Sequence, residues 1–271
     1  MTSLQDKVIV ITGASSGIGR ALAEAALARG AKIGVCARNL EKLQEAYATS
    51  DQERLITFAA DISKEADCKA FINFVLAKWG RIDVLINNAG ISMRALFEEA
   101  QISVIRELMD VNFFGTVYNT KYALPSIRKN NGVIVGVSSI AGYRGLPART
   151  GYSASKFAMQ GFLEALRTEL LHTGTHVMWV CPGFTASNIR NTARSADGSY
   201  QKETPLEETK LMTAAQCATI ILDGVEKRKR NIIMTTQGKL TVWINRLWGS
   251  MADKLVYKHF LKEPGSPLAR Q

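Results

Sequence analysis

Short runs of β-branched and apolar residues alternate along this chain with longer segments whose apolar residues recur at helical spacing. Several of the short runs are continuously apolar, as strands buried on both faces of a sheet are. The pattern predicts strands at 7–12, 31–37, 55–60, 82–87, 132–138, 176–181 and 231–236. It predicts helices at 18–29, 39–50, 64–79, 98–129, 152–172 and 213–228.

Strand–helix alternation at this spacing favours right-handed βαβ units, and hence an α/β fold with a doubly wound parallel sheet. The 271 residues, 46% of them hydrophobic, suffice for one well-buried core and not obviously for two, so we assign residues 1–237 to a single domain. The stretch 183–212 breaks the rhythm and is rich in Ser, Thr, Asn and charge. Long irregular insertions are usually lids or disordered loops, and we predict a substrate lid at 184–212.

The net charge of +10 is unevenly distributed. Ten of the 34 Lys and Arg residues, but only two of the 24 acidic residues, lie in 227–271. The rest of the chain therefore has 24 basic and 22 acidic residues, a net charge of +2. Because no basic groove is expected through the body of the protein, nucleic acid is not a predicted partner.

Cysteine spacing and hydropathy indicate the compartment. The four cysteines lack the CxxC or Cys/His spacing of a metal site, so we predict neither a metal nor a disulfide framework. The first predicted strand begins at Lys7, which leaves no room for a signal peptide, and no uncharged apolar stretch of about 18 residues is present. We expect a cytoplasmic protein.

The segment 238–271 is predicted to be a basic amphipathic extension. The apolar residues at helical spacing are Leu240, Ile244, Leu247, Trp248, Met251 and Leu255, and Arg246, Lys254 and Lys258 fall largely on the other side. Gly249 is a weak point in this helix. Three roles stay open: packing on the domain or on a partner subunit, lying on the anionic inner membrane surface through 238–262, and covering the substrate mouth.

A glycine-rich turn, TGASSGIGR, follows the first predicted strand and opens the first helix. Gly13, Gly17 and Gly19 allow a sharp turn and a close approach to a pyrophosphate, while backbone N–H groups and the helix dipole face the anion. The context favours a dinucleotide site. A glycine-rich turn without a ligand is the alternative.

Arg38 stands at the end of the second predicted strand, where an NAD-binding protein of this kind would carry a carboxylate for the ribose 2′-hydroxyl. A guanidinium suits a 2′-phosphate because it donates two parallel hydrogen bonds. We therefore predict NADP(H) in preference to NAD(H). A solvated surface arginine is the alternative.

A phenol, an ammonium and a hydroxyl are predicted to act together. Tyr152 and Lys156 are four residues apart on a predicted helix and so share a face, and Ser139 ends an apolar run thirteen residues before the tyrosine. A nearby cation favours the phenolate, so we expect the pKa of Tyr152 to be lowered toward neutrality, as suits a general acid or base. Ser139 could instead be a strand-end cap, although Ser138 is the better candidate for that part.

With these motifs in this order, the chain resembles the short-chain dehydrogenase/reductase family over residues 5–190. The motifs are TGASSGIG, AADIS after the third strand, NNAG at 87–90, Asn112 in DVNFFG, VSS at 137–139, YSASK and PG at 182–183. The resemblance implies a Rossmann fold with a seven-stranded parallel sheet and helices on both faces. Relatives commonly pair through long helices, so a homodimer or homotetramer is also implied.

The resemblance further implies the roles of individual residues. Tyr152 would exchange a proton with the substrate oxygen, Ser139 would hydrogen-bond that oxygen, and Lys156 would also bridge the nicotinamide ribose. Asn112 would hold a water that links Lys156 to solvent, with capping or kinking of its helix as an alternative. The implied cofactor contacts are Gly13, Ala14, Ser15, Ser16, Gly17, Ile18, Gly19, Arg38, Asp61, Ile62, Asn88, Ala89, Gly90, Tyr152, Lys156, Pro182, Gly183 and Thr185.

The C-terminal third is loosely similar to membrane-associated reductases of lipid and steroid ketones within that family. We predict substrate contacts from Ser139, Met93, Tyr143, Leu146 and Phe184, an apolar lining that favours an apolar substrate. The predicted function is an NADP(H)-dependent carbonyl reductase or alcohol dehydrogenase acting on a hydrophobic small molecule. A catalytically silent nucleotide-binding regulator and a peripheral membrane scaffold on the same fold are the alternatives.

Overall fold

Seven parallel strands form the central sheet of the computed structural model, which describes residues 3–183, 185, 189–201 and 211–270. The strands are β1 Val8–Thr12, β2 Lys32–Ala37, β3 Leu55–Ala59, β4 Val84–Asn87, β5 Val133–Val137, β6 His176–Cys181 and β7 Asn231–Ile233. Their order, β3-β2-β1-β4-β5-β6-β7, reverses direction between β1 and β4. The predicted doubly wound parallel sheet is confirmed, and its reversal point is where such folds bind ligands.

Helices cover both faces of this sheet. They are α1 Gly17–Ala28, α2 Leu40–Ala46, α3 Glu65–Trp79, α4 Ile102–Met109, α5 Gly115–Lys129, α6 Thr150–Glu169, α7 Ala214–Glu226, α8 Thr236–Leu247 and α9 Gly249–Leu261. A π-helical turn at Asp110–Phe114 joins α4 to α5 without a break, so the long helix predicted at 98–129 exists but begins at Ile102.

The core lies on both sides of the sheet because alternate residues of each strand point to opposite faces. On β1, Ile9 and Ile11 belong to the apolar cluster that includes residues of α1 and α7. Val8 and Val10 belong to the cluster formed with α3, α5 and α6. Every residue of β1 is buried, as the continuous apolar run predicts.

The last strand is shorter than the predicted 231–236. β7 ends at Ile233, and the Thr235 hydroxyl accepts a hydrogen bond from the Gly238 backbone N–H at 3.1 Å. This contact satisfies one of the free donors at the start of α8. A threonine that favours a strand by propensity therefore begins a helix instead.

The predicted C-terminal amphipathic helix is divided in two. The backbone of Trp248 leaves the helical region (φ −138°, ψ 69°), so α8 ends at Leu247 and α9 begins at Gly249. Gly238, Ala252 and Phe260 are the buried residues of these helices. The apolar residues predicted to share one face are mostly exposed, namely Leu240, Leu247, Trp248, Met251 and Leu255, with Ile244 partly buried.

Part of the predicted lid is described. Backbone hydrogen bonds tie it to the residues after β4: the Arg194 N–H donates to Ser92 O and the Arg94 N–H to Arg194 O, both at 2.8 Å. The Arg194 guanidinium donates to Glu107 of α4, with Nε 2.8 Å from Oε2. The described part of 184–212 therefore packs against the residues after β4 and against α4.

All four cysteines, Cys36, Cys68, Cys181 and Cys217, are free and buried. Among the described residues, no group of three or more His, Cys, Asp and Glu side chains could hold a metal ion. Within the described part of the chain, no helix is long and apolar enough to cross a bilayer.

Candidate active site

A cleft of about 490 Å³ lies beyond the carboxyl ends of the strands, where β1 and β4 lie side by side. It is lined by the glycine turn after β1, the residues after β2, β3 and β4, and the start of α6. All the implied cofactor residues line it except Ala14, whose side chain is buried in the core. The sequence signals therefore converge on one site.

The glycine turn is shaped for close approach of a ligand. Gly13 has φ +68°, a conformation that side-chain-bearing residues avoid, and a Cβ on Gly19 would lie 2.3 Å from the Gly13 carbonyl oxygen. Asn88 stabilises the turn because its Nδ2 donates to Thr12 O at 2.9 Å and to Gly13 O at 3.1 Å. The amide of Asn88 thus holds the turn, and its implied ribose contact stays a prediction.

The end of β2 forms the basic part of the cleft. Arg38, Asn39 and Lys42 all line it, and Asn39 Oδ1 accepts a hydrogen bond from the Lys42 N–H at 2.8 Å, which caps α2. Lys42 was not predicted, although its position four residues after Arg38 was a usable signal. Of the described residues after β3, Asp61 and Ile62 also line the cleft.

The lid reaches the same basic end through Tyr200. Arg194 packs on the Tyr200 ring, with its guanidinium carbon 4.4 Å from the ring centroid. Hydrogen bonding and charge from Arg194, with a smaller contribution from Arg38, lower the pKa of the Tyr200 phenol. No sequence pattern singled out Tyr200.

Ser139 and Tyr152 meet at the other end of the cleft. Both side chains line the cleft, and Ser139 favours the charged form of the Tyr152 phenol. Ser139 also caps the 3₁₀ turn Ile140–Gly142, since its Oγ accepts from the Ala141 N–H at 3.1 Å. The expectation that Ser138 is the cap was wrong: Ser138 is buried, and its Oγ accepts from Gln160 Nε2 at 2.8 Å.

Lys156 lies one helical turn beyond Tyr152, and its ammonium is 5.8 Å from the centroid of the tyrosine ring. The residue is only 3% exposed, and Nζ donates to Val137 O at 2.9 Å. Burial disfavours the charged form and lowers the pKa of Lys156 to about 8. Near neutral pH the side chain is still mostly an ammonium.

The expectation that the pKa of Tyr152 is lowered was wrong for this structure. Desolvation raises the pKa of the phenol, and this effect exceeds the opposing effects of Ser139 and of the Arg149 charge. Desolvation depends on the whole fold, and the spacing of Tyr152 and Lys156 along the chain carries no information about it. A neutral phenol at pH 7 is the form that can donate a proton.

Asn112 is fully buried inside the π-helical turn, a feature that often marks functional sites. Its Oδ1 accepts from the Ile91 N–H at 2.9 Å, and its Nδ2 donates to Ile91 O at 3.0 Å and to Ser155 Oγ at 2.8 Å. A Cβ on Gly90 would lie 3.0 Å from Asn112 Oδ1 and 3.3 Å from Lys156 Nζ. Asn112 thus fixes the segment after β4 beside the lysine, without lining the cleft itself.

The predicted substrate residues are only partly brought together. Met93 and Leu146 line the cleft near Tyr152. Tyr143 does not line it; its hydroxyl accepts a hydrogen bond from Trp179 Nε1 at 2.9 Å. Phe184 lies outside the described residues.

Three charged residues that the sequence analysis missed lie at this end: Arg94, Arg149 and Glu263. Arg149 stands three residues before Tyr152, which was a local signal. Glu263 is 111 residues after Tyr152, and no local pattern could have placed it there.

Comparison with known proteins agrees with this geometry. The model of the family described as short chain dehydrogenase matches residues 7–198. Dehydrogenase/reductase SDR family member 7B of Mus musculus is 36% identical over 241 residues, which cover 86% of this chain and 74% of the mouse protein. A protein named 11-beta-hydroxysteroid dehydrogenase 1A, from Arabidopsis thaliana, is 33% identical over 94% of this chain and 74% of its own length.

Solved structures show the same architecture. A short-chain dehydrogenase from Streptomyces avermitilis superimposes with a TM-score of 0.81 at 28% identity, covering 95% of this chain and 98% of its own. A short chain dehydrogenase/reductase from Burkholderia phymatum, solved in complex with NAD, gives 0.82 at 23% identity over 93% and 96% of the two chains. At that identity the second likeness concerns the fold alone.

Proposed function

Since the chain belongs to the short-chain dehydrogenase/reductase family, as its family match and its relatives establish, we propose that it interconverts a hydrophobic ketone or aldehyde and its alcohol with NADP(H). The observation that carries this proposal is that the Tyr152 phenol, Ser139 and the Lys156 side chain, one turn from the tyrosine, line one cleft that begins at a glycine turn. Binding a nucleotide requires no phenol at this position, whereas protonation of a carbonyl oxygen requires an acid.

The cofactor and the side chains divide the chemistry. When bound, the nicotinamide supplies or accepts the hydride at the substrate carbon. In the direction of reduction, Tyr152 donates its proton to the carbonyl oxygen as the C–H bond forms, and the C=O π bond becomes the C–O–H of the alcohol. Ser139 hydrogen-bonds the same oxygen and stabilises the developing negative charge. Lys156 stabilises the phenolate left behind and recruits its replacement proton, in a role that Asn112 supports by fixing the adjacent backbone.

The chain fits a dinucleotide. The absence of a Cβ at Gly13 and Gly19 leaves the backbone open at the start of α1, whose N–H groups and dipole favour a pyrophosphate. We propose NADP(H) rather than NAD(H) because Arg38 and Lys42 both line the far end of the cleft, and two cations there match the charge of a 2′-phosphate.

The cofactor choice is tested by exchanging the charge at position 38. Arg38→Asp is expected to raise the Kd of NADPH at least about 50-fold and that of NADH less than about 3-fold, since charge-assisted hydrogen bonds contribute about 1.5–3 kcal/mol each. Lys129→Asp, at an exposed position at the end of α5, is the matched control. Equal losses for the two cofactors would mean that Arg38 does not bind the phosphate.

We propose a hydrophobic substrate because Met93, Leu146, Val111 and Ile189 line the catalytic end of the cleft. The name of the Arabidopsis thaliana relative includes a hydroxysteroid, which places compact apolar ketones and their alcohols first among compounds to screen. NADPH consumption with a panel of ketones of increasing apolar area measures the preference. Faster turnover of small polar ketones than of apolar ones would contradict it.

Tyr152→Phe tests the chemistry itself. Removing one hydroxyl leaves the ring and the Lys156 contact in place, so we expect turnover to fall at least about 10³-fold while the Kd of NADPH changes less than about 2-fold. Tyr118→Phe, on α5 and outside the cleft lining, is the matched control. A Tyr152→Phe variant that retains near-normal turnover would refute this mechanism. Failure of the wild-type protein to oxidise or reduce any compound of the panel, with cofactor bound, would favour the silent regulator.

We also propose that α8 and α9 contact an anionic membrane surface from the inner side of the cell. Six large apolar side chains of these helices expose 43–53% of their surface: Leu240, Trp243, Leu247, Trp248, Met251 and Leu255. The Trp243 and Trp248 rings contact each other edge to face, with their centroids 5.0 Å apart. Lys239, Arg246, Lys254, Lys258 and Lys262 lie on the same two helices or at their end, exposed, with Asp253 as the acid among them. Apolar side chains, indole rings and excess cations together match the interface of an anionic bilayer.

Flotation of the whole protein with liposomes tests this contact. We expect binding to vesicles that contain phosphatidylserine, and loss of binding in the variant Leu247→Glu/Trp248→Glu. A matched control, Phe97→Glu, changes a side chain of similar exposure (62%) that lies in the segment between β4 and α4. If the wild-type protein does not float with the vesicles, the membrane contact is refuted. If the Leu247→Glu/Trp248→Glu variant then forms a smaller oligomer than the wild type, a second copy of the chain covers this face instead.

We propose a homodimer or homotetramer, formed through a different surface. Phe114 at the end of the π-helical turn and Phe157 on α6 are exposed large apolar side chains on long neighbouring helices. Light scattering after size exclusion should give at least twice the 29.7 kDa chain mass, and Phe157→Glu should reduce it. A monomeric wild-type protein would contradict this part of the proposal.

A further inference from the structure

The segment that connects Ser139 to Tyr152 is held by the C-terminal extension, defined here as residues 236–270. Arg144 Nη1 donates to Asn245 Oδ1 of α8 at 3.0 Å, and Asn245 Nδ2 donates back to Tyr143 O at 3.0 Å. Arg144 also pairs with Asp253 of α9. Both helices therefore contact the backbone that carries two of the proposed catalytic side chains.

A more buried contact lies closer to the phenol. Arg149 Nη2 donates to both carboxylate oxygens of Glu263, at 2.8 and 3.1 Å, and the Arg149 guanidinium carbon lies 4.5 Å from the centre of the Phe260 ring. The side chains of Arg149 and Glu263 are only 15% and 7% exposed. An exposed ion pair contributes little, but a pair this buried depends on both partners being present.

Glu263 also bridges to the opposite side of the cleft. Arg94, which follows the Met93 substrate candidate, lies 3.8 Å from Glu263 and donates to Pro264 O at 2.5 Å. Leu96, Phe260 and Leu268 form a buried apolar cluster, with Leu146 and Val256 packed against it. The tail after α9 is thus fixed at the end of the cleft by the ion pairs of Glu263 and by the apolar packing of Leu268.

The position of Arg149 gives this contact a consequence for catalysis. Arg149 is the N-cap residue of α6, and its carbonyl accepts a hydrogen bond from the Ser153 N–H at 2.8 Å, so its placement fixes the first turn of the helix that carries Tyr152. A displacement of about 1 Å at a reacting group can cost on the order of 10²-fold in rate.

We propose that the C-terminal tail is the outer wall of the substrate end of the cleft, and that Glu263 is a positioning residue that seats Arg149 and thereby the Tyr152 turn. The structural half of this inference stands on the contacts above. The catalytic half rests on the proposed function.

Hydrogen exchange on the whole protein tests the structural half without any activity. Glu263→Gln keeps the shape of the side chain and removes its charge. We expect faster exchange in 143–153 by about 10-fold or more, with the sheet unchanged. Glu226→Gln is the matched control because Glu226 pairs with Arg29 at 2.8 Å, on the far side of the molecule, and is 24% exposed. Equal exchange in 143–153 for both variants would overturn the proposal.

Kinetics test the catalytic half. With an accepted ketone, Glu263→Gln should lower kcat/KM by about 10-fold or more, with part of the loss in kcat, while the Kd of NADPH stays within about 2-fold. Unchanged kcat and KM would overturn the positioning role. If Glu263→Gln does not fold, Arg149→Lys keeps the charge but loses the planar guanidinium, whose Nη1 also donates to Pro147 O at 3.2 Å. Arg149→Lys is then expected to lower turnover and leave the Kd of NADPH unchanged in the same way.

The outcomes for the two proposals are separable. A wild-type protein that turns over no carbonyl compound would refute the proposed function, and the exchange measurement would still decide whether Glu263 fixes the segment. Normal turnover with altered exchange in Glu263→Gln would refute the catalytic half alone.

Discussion

Lys156 gives a quantitative test of the buried site through protein stability. We expect Lys156→Met to stabilise the cofactor-free protein at pH 7, although it removes a residue proposed to be catalytic. The reason is desolvation: Lys156 is only 3% exposed, and the pKa of its ammonium is lowered from 10.5 to about 8. Methionine fills a similar volume without a charge.

The magnitude follows from linkage. A drop of about 2.5 in pKa corresponds to about 3 kcal/mol of destabilisation at pH 7, where the side chain is charged in both the folded and unfolded states. Loss of the donor to Val137 O offsets about 1–2 kcal/mol of the gain. We therefore expect Lys156→Met to raise the free energy of unfolding at pH 7 by about 1–2 kcal/mol.

The sign of the pH dependence distinguishes this effect from simple repacking. Between pH 8 and 10.5 the unfolded wild-type chain binds more protons at Lys156 than the folded chain does. The free energy of unfolding of the wild type therefore rises relative to that of the variant as pH rises. The stability difference between Lys156→Met and wild type should therefore fall by about 2–3 kcal/mol between pH 7 and pH 10, which changes its sign.

Urea unfolding of both proteins at the two pH values, followed by tryptophan fluorescence, measures the difference. Lys121→Met, at an exposed position on α5, is the matched control and should give the same stability difference at both pH values. A Lys156→Met difference that does not change with pH would refute the reasoning about burial.

Three further predictions follow from contacts around the cleft and the sheet. Gly19→Ala should raise the Kd of NADPH about 10-fold or more in a fluorescence titration, because the new Cβ would lie 2.3 Å from Gly13 O; unchanged affinity would mean that the turn adapts freely. Tyr47→Phe should lower stability by about 1–2 kcal/mol in urea, since the buried Tyr47 hydroxyl donates to Ala14 O at 2.7 Å, and a neutral result would show that water replaces it. Asp83→Ala should cost about 3 kcal/mol, because the buried carboxylate accepts from the Val8 N–H at 3.0 Å and from Arg81, and a loss below about 1 kcal/mol would contradict that account.

The sheet and the cofactor end of the site were predictable because their signals are local. β1 is a continuous apolar run followed at once by the glycine turn, and the tyrosine and lysine of the site are one helical turn apart. Such spacing needs no knowledge of distant residues. Predicted strand ends near the cleft were accurate for the same reason.

The predictions that were wrong concern features that depend on distant residues or on two effects that oppose each other. β7 stops early because the Thr235 hydroxyl caps α8, which outweighs strand propensity. The pKa of Tyr152 is raised by desolvation, which depends on the whole fold, whereas its helical spacing from Lys156 predicted a lowered pKa. Tyr143 accepts a hydrogen bond from Trp179 of β6 and does not line the cleft, a contact between residues 36 positions apart that no local pattern predicts.

The C-terminal extension was predicted only in part. The helical spacing of its apolar residues predicted a helix, but it predicted neither the break at Trp248 nor the exposure of those residues. The direction depends on which side chains the body of the protein accepts, here Gly238, Ala252 and Phe260. The spacing of apolar residues along one helix does not by itself show which face of the helix packs on the body of the protein.

Burial of all four thiols has a practical consequence. Desolvation raises the pKa of Cys68, Cys181 and Cys217 to about 12 and that of Cys36 still further, so thiolate, the form that reacts with maleimides and iodoacetamides, is scarce in the native protein. A cysteine introduced at an exposed position such as Trp248 would then take up a spectroscopic label selectively, without removal of the native ones. Conversely, pulsed alkylation of the four native cysteines would measure the fraction of molecules that are transiently unfolded.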